Sequence, residues 1–282
     1  MGQNLDIHSV HNRFGERFSK HALARCGMNE RISEQWEANA EVFTNLIDGT
    51  GTPHHREILN PCVDRLLGDV SGKKLLDAGC GEGYLSRYYA HKGAIVTGVD
   101  TSPKLIDICR KMTAKEKVSY LVGNICNLQF ISDSEFDLVL CNLVILNIAC
   151  LHESLSEFSR VLRPGGTLVF SVVHPAFNVY GPGSWEVGEK DPKTGRRAGQ
   201  YFKVDRYFDE KEHLRYWRTR QGEKFPKQFS FYHRTISTYV NALISTGFSL
   251  VSLREPRPVS DNAFFDRERR IPFFIVFKAE KT

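Results

Sequence analysis

Between Glu30 and Ile47 the apolar positions Ile32, Trp36, Ala40, Phe43 and Ile47 recur at spacings of three and four, which predicts one face of a helix. Gly49 and Gly51 end it. Pro53 opens a second helix with Ile58, Val63, Leu66 and Leu67 on one face and Pro61 as an interruption. The first thirty residues are polar and hold no period, and read as a loose arm. From Lys73 the rhythm changes. Short apolar runs at Leu75-Leu76, Ala94–Val99, Val118–Val122, Phe136–Cys141 and Thr167–Val173 read as strands, the last entered through the turn Pro164-Gly165-Gly166. Amphipathic segments Tyr84–His91, Pro103–Lys115 and Leu151–Leu162 fit between them as helices. Strand and helix in alternation predict a parallel sheet with right-handed crossovers.

Residues 176–225 break that rhythm, being rich in Gly, Lys, Arg and aromatics without a helical period. A helix over Thr235–Thr246, closed by Gly247, and strands at Phe248–Leu253 and Pro272–Phe277 then complete the pattern. The predicted fold class is α/β: a doubly wound, mostly parallel, seven-stranded sheet with an N-terminal helical cap and an insertion after the fifth strand. The divisions are a cap over 1–70, an α/β core over 71–175, a lid insertion over 176–227, and completion of the core sheet over 228–282.

Composition narrows the function classes. At 41% hydrophobic and 25% charged residues, the chain is too apolar to remain disordered. A net charge of +5 is small for 282 residues and does not demand an acidic partner. The basic cluster Arg215, Arg218, Arg220 and Lys224 reads as a solvated strand, so nucleic acid is not the expected partner. The most apolar run, Leu138–Leu151, is too short to span a bilayer and holds Asn142 and Asn147. The N-terminus lacks the apolar stretch of a secretory signal. None of the seven cysteines forms a C-x-x-C pair, so no metal site is expected, and free buried thiols in a reducing, cytoplasmic setting are.

The chemistry concentrates in LLDAGCGEGYLS, Leu75–Ser86. Gly79, Gly81 and Gly83 let the chain turn sharply and approach a ligand. The helix that follows presents free N–H groups and a partial positive charge. A dinucleotide site needs G-x-G-x-x-G, whereas here Tyr84 stands where the third glycine belongs. The second strand ends at Asp100, where a carboxylate can accept from both hydroxyls of a ribose. Thr101 follows it, and Ser102-Pro103 starts the next helix.

The segments LDAGCGEGY, VTGVD, FDLVLCNLVI and RVLRPGGTLVFS together resemble the class I methyltransferases. Among them they are most similar to the small-molecule (methyltransferase type 11) group that includes the quinone-biosynthesis enzymes. The resemblance implies a Rossmann-like fold, S-adenosyl-L-methionine as cofactor and S-adenosyl-L-homocysteine as product. It implies that Asp77, Gly79, Cys80 and Gly81 border the methionine part and that Asp100 holds the ribose diol. Tyr84 and Thr101 flank these contacts. Asn124, in place of the family's usual Asp, would accept from the adenine amino group, and Ile125 would offer its N–H. Asn142 and Leu143 would close the pocket, where RNA base N-methylases carry N-P-P-[YF].

The partner expected is a small-molecule acceptor methylated on O or N, with the protein a monomer or homodimer. The alternatives are an RNA or protein methyltransferase, or a non-catalytic S-adenosylmethionine binder. His174, directly after the fifth strand, is the candidate general base. Trp36 and Phe43 on the first helix and Trp185 and Tyr201 in the insertion are the candidate acceptor contacts, with Phe202, Tyr207 and Trp217 nearby. His54, His55 and Arg56 could reach the cofactor carboxylate. Plainer readings stand beside these: Asp77 as an acceptor for loop N–H groups, Tyr84 and the aromatics as packing, His174 as a loop hydrogen-bonder.

Overall fold

A computed structural model describes residues 30–282 apart from 114–117, 194, 196 and 220. The predicted arm, the end of the helix drawn to Lys115, and Arg220 lie outside the described residues. The described residues open with helix α1 (30–47), whose buried face carries Ile32, Ala40 and Ile47. Helix α2 follows as a π turn (His55–Leu59) running into an α-helix (Asn60–Leu67). Pro61 does not break it. A proline there lacks the N–H that would bond the carbonyl of Glu57, and that carbonyl instead accepts the N–H of Val259 at 2.9 Å.

The alternating unit comprises β1 (Lys74–Ala78), α3 (Tyr84–His91), β2 (Ile95–Asp100), α4 (Pro103–Met112), β3 (Val118–Val122), β4 (Phe136–Asn142), α5 (Leu151–Val161) and β5 (Leu162–Val173). Two antiparallel hairpins interrupt it: β6 (Gly183–Lys190) with β7 (Arg197–Val204), and β8 (Glu212–Arg215) with β9 (Phe229–Tyr232). The chain returns through α6 (Ile236–Ser245), β10 (Phe248–Arg254), α7 (Asp266–Arg270) and β11 (Phe274–Lys281).

The seven-stranded sheet has the order β10-β11-β5-β4-β1-β2-β3, with β11 antiparallel to both its neighbours and the pairs from β5 to β3 parallel. This is the doubly wound, mostly parallel arrangement that the alternation predicts. β1 and β4 are neighbours although β2 and β3 lie on the far side of β1, so the winding reverses there. At such a reversal, loops leave the strand tips in opposite directions and open a crevice. Apolar cores fill both faces, one around Phe158, Phe170 and Phe277, the other around Leu59, Leu75 and Val276.

Helix α1 lies across the carboxyl edge of the sheet, and polar side chains hold it there. Glu37 accepts from the Lys104 N–H at 3.0 Å and from the Ser102 hydroxyl, completing the cap of α4. On its other side Asn39 exchanges two hydrogen bonds with the backbone of Lys227, at 2.9 and 3.0 Å, and Gln35 accepts from Ser230 N–H at 3.1 Å. Buried amides thus pair with the approach to β9 and with β9 itself, as a neighbouring strand would. One expectation is corrected: Cys126 and Cys150 are joined as a disulfide with Cα atoms 6.0 Å apart, while Cys62, Cys80, Cys109 and Cys141 are free. Their spacing of 24 residues says nothing of proximity, which comes from the loop after β3 meeting the start of α5.

Candidate active site

A cavity of about 1140 Å³, its open mouth included, occupies the crevice between the tips of β1 and β4. The glycine corner forms its floor. Gly79, Gly81 and Gly83 all take positive φ, at 81°, 57° and 83°. Gly79 is doubly constrained, since a β-carbon there would overlap the side chain of Val144 from the β4 loop. Leu143 beside it is held at φ 58°, where a non-glycine residue is strained, by N–H bonds to the Ser171 carbonyl and hydroxyl at 3.2 and 3.0 Å. The tips of β4 and β5 are thereby tied together.

Acidic groups surround the corner. Asp77 is 2% exposed, and its carboxylate accepts from the Ser86 hydroxyl at 2.6 Å. Burial, reinforced by the nearby carboxylates of Asp100 and Glu82, pushes its pKa up to about 7. Asp100, 8% exposed, accepts from Gly81 N–H and Ser102 N–H, both at 3.0 Å. Those bonds oppose burial, which still raises its pKa to about 6. Lone-pair capacity remains on the carboxylate for a further donor. Glu82 is answered by Arg87 at 2.6 Å. Buried carboxylates held above their usual range are relieved by a cation, so this corner fits a positively charged nucleoside.

All eleven residues expected to touch the cofactor line this cavity: Asp77, Gly79, Cys80, Gly81, Tyr84, Asp100, Thr101, Asn124, Ile125, Asn142 and Leu143. The two asparagines are partly engaged. Asn124 accepts from Cys126 N–H at 2.9 Å through its amide oxygen, and Asn142 accepts from the Ser171 hydroxyl at 2.7 Å. Tyr84 bonds the side chain of Asn60 at 3.2 Å, so packing and lining coincide in it.

The acceptor residues divide. Trp36 and Phe43 line the cavity, and a β-carbon on Gly81 would stand 3.2 Å from the Phe43 ring. Trp185 and Tyr201 do not. The β6–β7 hairpin folds back on α7, where Trp185 packs on Phe202 and under Arg267 and Arg270, whose guanidiniums lie 5.6 and 5.3 Å from its ring. Tyr201 is 52% exposed beside Lys203. The second hairpin instead supplies the ring: Trp217, in the loop between β8 and β9, lies 6.0 Å from Trp36 and 6.3 Å from Phe43.

His174, the expected base, is not among the residues that line the cavity. Phe273, the residue before β11, accepts its backbone N–H at 2.9 Å, and the ring bonds Glu255 at 2.9 Å. Ala176 N–H donates to its other nitrogen at 3.2 Å. Burial holds its pKa below the usual imidazole value despite Glu255. The histidine that does line the cavity is His55. Thr52 N–H donates to its Nδ1 at 3.0 Å, which places the ring proton on Nε2. Burial, then the neighbouring His54 and Arg56, push its pKa down to about 4. His54 turns to Glu268 at 3.0 Å, and Arg56 closes on the carbonyl of Gly51.

Other lining residues carried weaker signals. Asn147 is a polar interruption of an apolar run, and its amide is fixed by the Ser230 carbonyl at 2.7 Å. Ile148 and Asn147 sit on a segment gripped by buried Arg234, which bonds the carbonyls of Ile145 and Ile148 at 3.0 and 2.6 Å. Val144 and Thr52 show nothing unusual locally. The basic residues Arg215, Arg218 and Lys224 lie outside the cavity. No helix among the described residues is long and apolar enough to cross a membrane.

A glycine corner at the winding reversal, bordered by an acidic strand tip, defines an α/β enzyme that binds a nucleoside cofactor. A family model described as "Methyltransferase domain" matches residues 76–170. An uncharacterized protein of Haemophilus influenzae is 30% identical over 264 residues, 90% of this chain and 99% of that one. A malonyl-[acyl-carrier protein] O-methyltransferase of Serratia marcescens is 39% identical over 113 residues, which is 39% of this chain and 43% of that enzyme. The structure of an S-adenosylmethionine-dependent methyltransferase from Mesorhizobium loti, 25% identical, superposes with a TM-score of 0.64 over 78% of this chain and 96% of that one. The chain belongs to the class I S-adenosylmethionine-dependent methyltransferases, and S-adenosylmethionine is its cofactor.

Proposed function

We propose that the enzyme transfers a methyl group from S-adenosylmethionine to an O or N atom of a small-molecule acceptor. The observation that carries this reading is that Phe43 stands over Gly81 inside the same cavity as Asp77 and Asp100. Acceptor-side aromatics and the cofactor corner therefore share one enclosed space. When bound, S-adenosylmethionine supplies a methyl group on a positively charged sulfur.

The chain's own task is placement. The spare lone pairs of Asp100 take the ribose hydroxyls, and Asp77 faces the cationic end of the methionine. His55 directs its Nε2–H to the carboxylate of that methionine, the role that its fixed tautomer suits. Trp36, Phe43 and Trp217 exclude water and hold the acceptor in line with the departing sulfur, and such positioning contributes on the order of 7 kcal/mol or more. The Serratia relative is named an O-methyltransferase, which supports methyl transfer as the class of reaction.

Incubation with methyl-labelled S-adenosylmethionine and a metabolite extract tests the reading. Label is expected in dialysable product, and an Asp100→Ala variant should lose it. Label confined to RNA or protein would overturn it.

A further inference from the structure

We infer that the acceptor is an amine, held with its reacting nitrogen against the aromatic wall formed by Trp36, Phe43 and Trp217. The inference rests on the methyl-transfer reading above and names the substrate class of that same cavity.

The three rings form a contiguous cluster, with Trp36 5.2 Å from Phe43, 6.0 Å from Trp217, and Phe43 6.3 Å from Trp217. Phe229 backs the cluster at 4.7 Å from Trp36 and 4.4 Å from Trp217. Phe43 brings the cluster to the glycine corner. Aromatic rings attract positive charge and give nothing to an anion. The charged side chains among the described lining residues are the carboxylates Asp77, Glu82 and Asp100. Arg87 answers Glu82, which leaves Asp77 and Asp100 facing a cofactor whose net charge is one positive. A carboxylate or phosphate acceptor would meet rings and acids there.

The reaction itself separates amines from hydroxyls. The amine arrives as its ammonium and first gives one proton to solvent; the lone pair of the uncharged amine then forms the N–C bond while the C–S bond breaks and its electron pair stays on sulfur. The positive charge moves from sulfur to nitrogen, and the new ammonium loses its proton later, in solvent. Charge is conserved inside the cavity, and the rings and carboxylates stabilise it as it develops on nitrogen. A neutral hydroxyl must instead surrender a proton during attack. His55 has its Nδ1 occupied by Thr52, and Asp100 is bonded by two backbone N–H groups. Neither is set as that base, and Asp77, the third lining candidate, is held by the Ser86 hydroxyl at 2.6 Å.

Matched probes test the inference by binding alone. Protein saturated with S-adenosylhomocysteine is titrated calorimetrically at neutral pH with 2-naphthylmethylamine, naphthalene-2-methanol and 2-naphthoate. The amine is expected to bind about tenfold tighter than the carboxylate, with the alcohol between them. Trp217→Leu should erase that preference, and its affinity for S-adenosylhomocysteine serves as the folding control. A carboxylate that binds as well as the amine overturns the inference, as does a failure of all three probes on cofactor-loaded protein. A protein that does not bind S-adenosylhomocysteine at all would instead overturn the cofactor reading on which this inference depends.

Discussion

The carboxylate of Asp100 accepts the backbone N–H of Gly81 at 3.0 Å, so the side chain proposed to take the ribose also fixes the loop proposed to border the methionine. One residue joins the two halves of the cofactor site, and its removal should act on both. Asp100→Ala is expected to weaken S-adenosylmethionine binding on the order of 10- to 1000-fold, from the loss of one or two charge-assisted bonds. Asp100→Asn, which keeps an acceptor for Gly81, should fall between. Unchanged calorimetric affinity in a folded Ala variant would remove Asp100 from the site.

Acidity should tune the same site. Asp77 titrates at about 7 and Asp100 at about 6 in the free protein, both above the ordinary aspartate value. The cationic cofactor favours their ionised forms, so its affinity should rise from pH 5.5 to pH 8 and level off above. Stability of the free protein carries the opposite sign. The contribution of these raised groups is fully present below their unfolded values near 4 and is lost as pH rises through about 7. Calorimetry across that range measures the first effect. Flat affinity would mean that neither carboxylate changes charge on binding.

Two glycines with similar backbones should respond differently. Gly79 at φ 81° faces the Val144 side chain, whereas Gly165 at φ 72° has nothing within 4 Å of its missing β-carbon. Gly165→Ala should cost only the backbone strain, about 1–2 kcal/mol, with cofactor affinity retained. Gly79→Ala adds a collision that parts the β1 and β4 loops, and should abolish cofactor binding even where the protein remains folded. Denaturant melts paired with cofactor titrations distinguish the two.

The two histidines should also separate. His174→Ala removes a buried ring bonded at both nitrogens. It should lower stability by about 1–3 kcal/mol while leaving the pH profile of turnover unmoved. His55→Ala should raise the KM for S-adenosylmethionine about tenfold, from one lost bond to its carboxylate, with a smaller change in kcat. A pH profile altered by His174→Ala alone would restore that residue as the base.

Local pattern determined much of this protein. Alternating apolar runs and amphipathic stretches dictate a parallel sheet because each element must bury one face. The glycines at 79 and 81 and the acid at 100 were legible as neighbours in one cavity because strand–turn–helix geometry is local, and adjacent parallel strands put their tips side by side. Tertiary packing decided the rest. Trp217 rather than Trp185 or Tyr201 lines the cavity because two hairpins of similar composition fold to opposite places, one onto α7 and one onto α1 through Gln35 and Asn39. His55 rather than His174 faces the crevice because Glu255 and Phe273, some eighty and a hundred residues away in sequence, hold the latter's side chain and backbone elsewhere. Cys126 finds Cys150 for the same reason. Such contacts join segments whose encounter depends on the whole chain closing around its cores, and residue spacing carries no record of that.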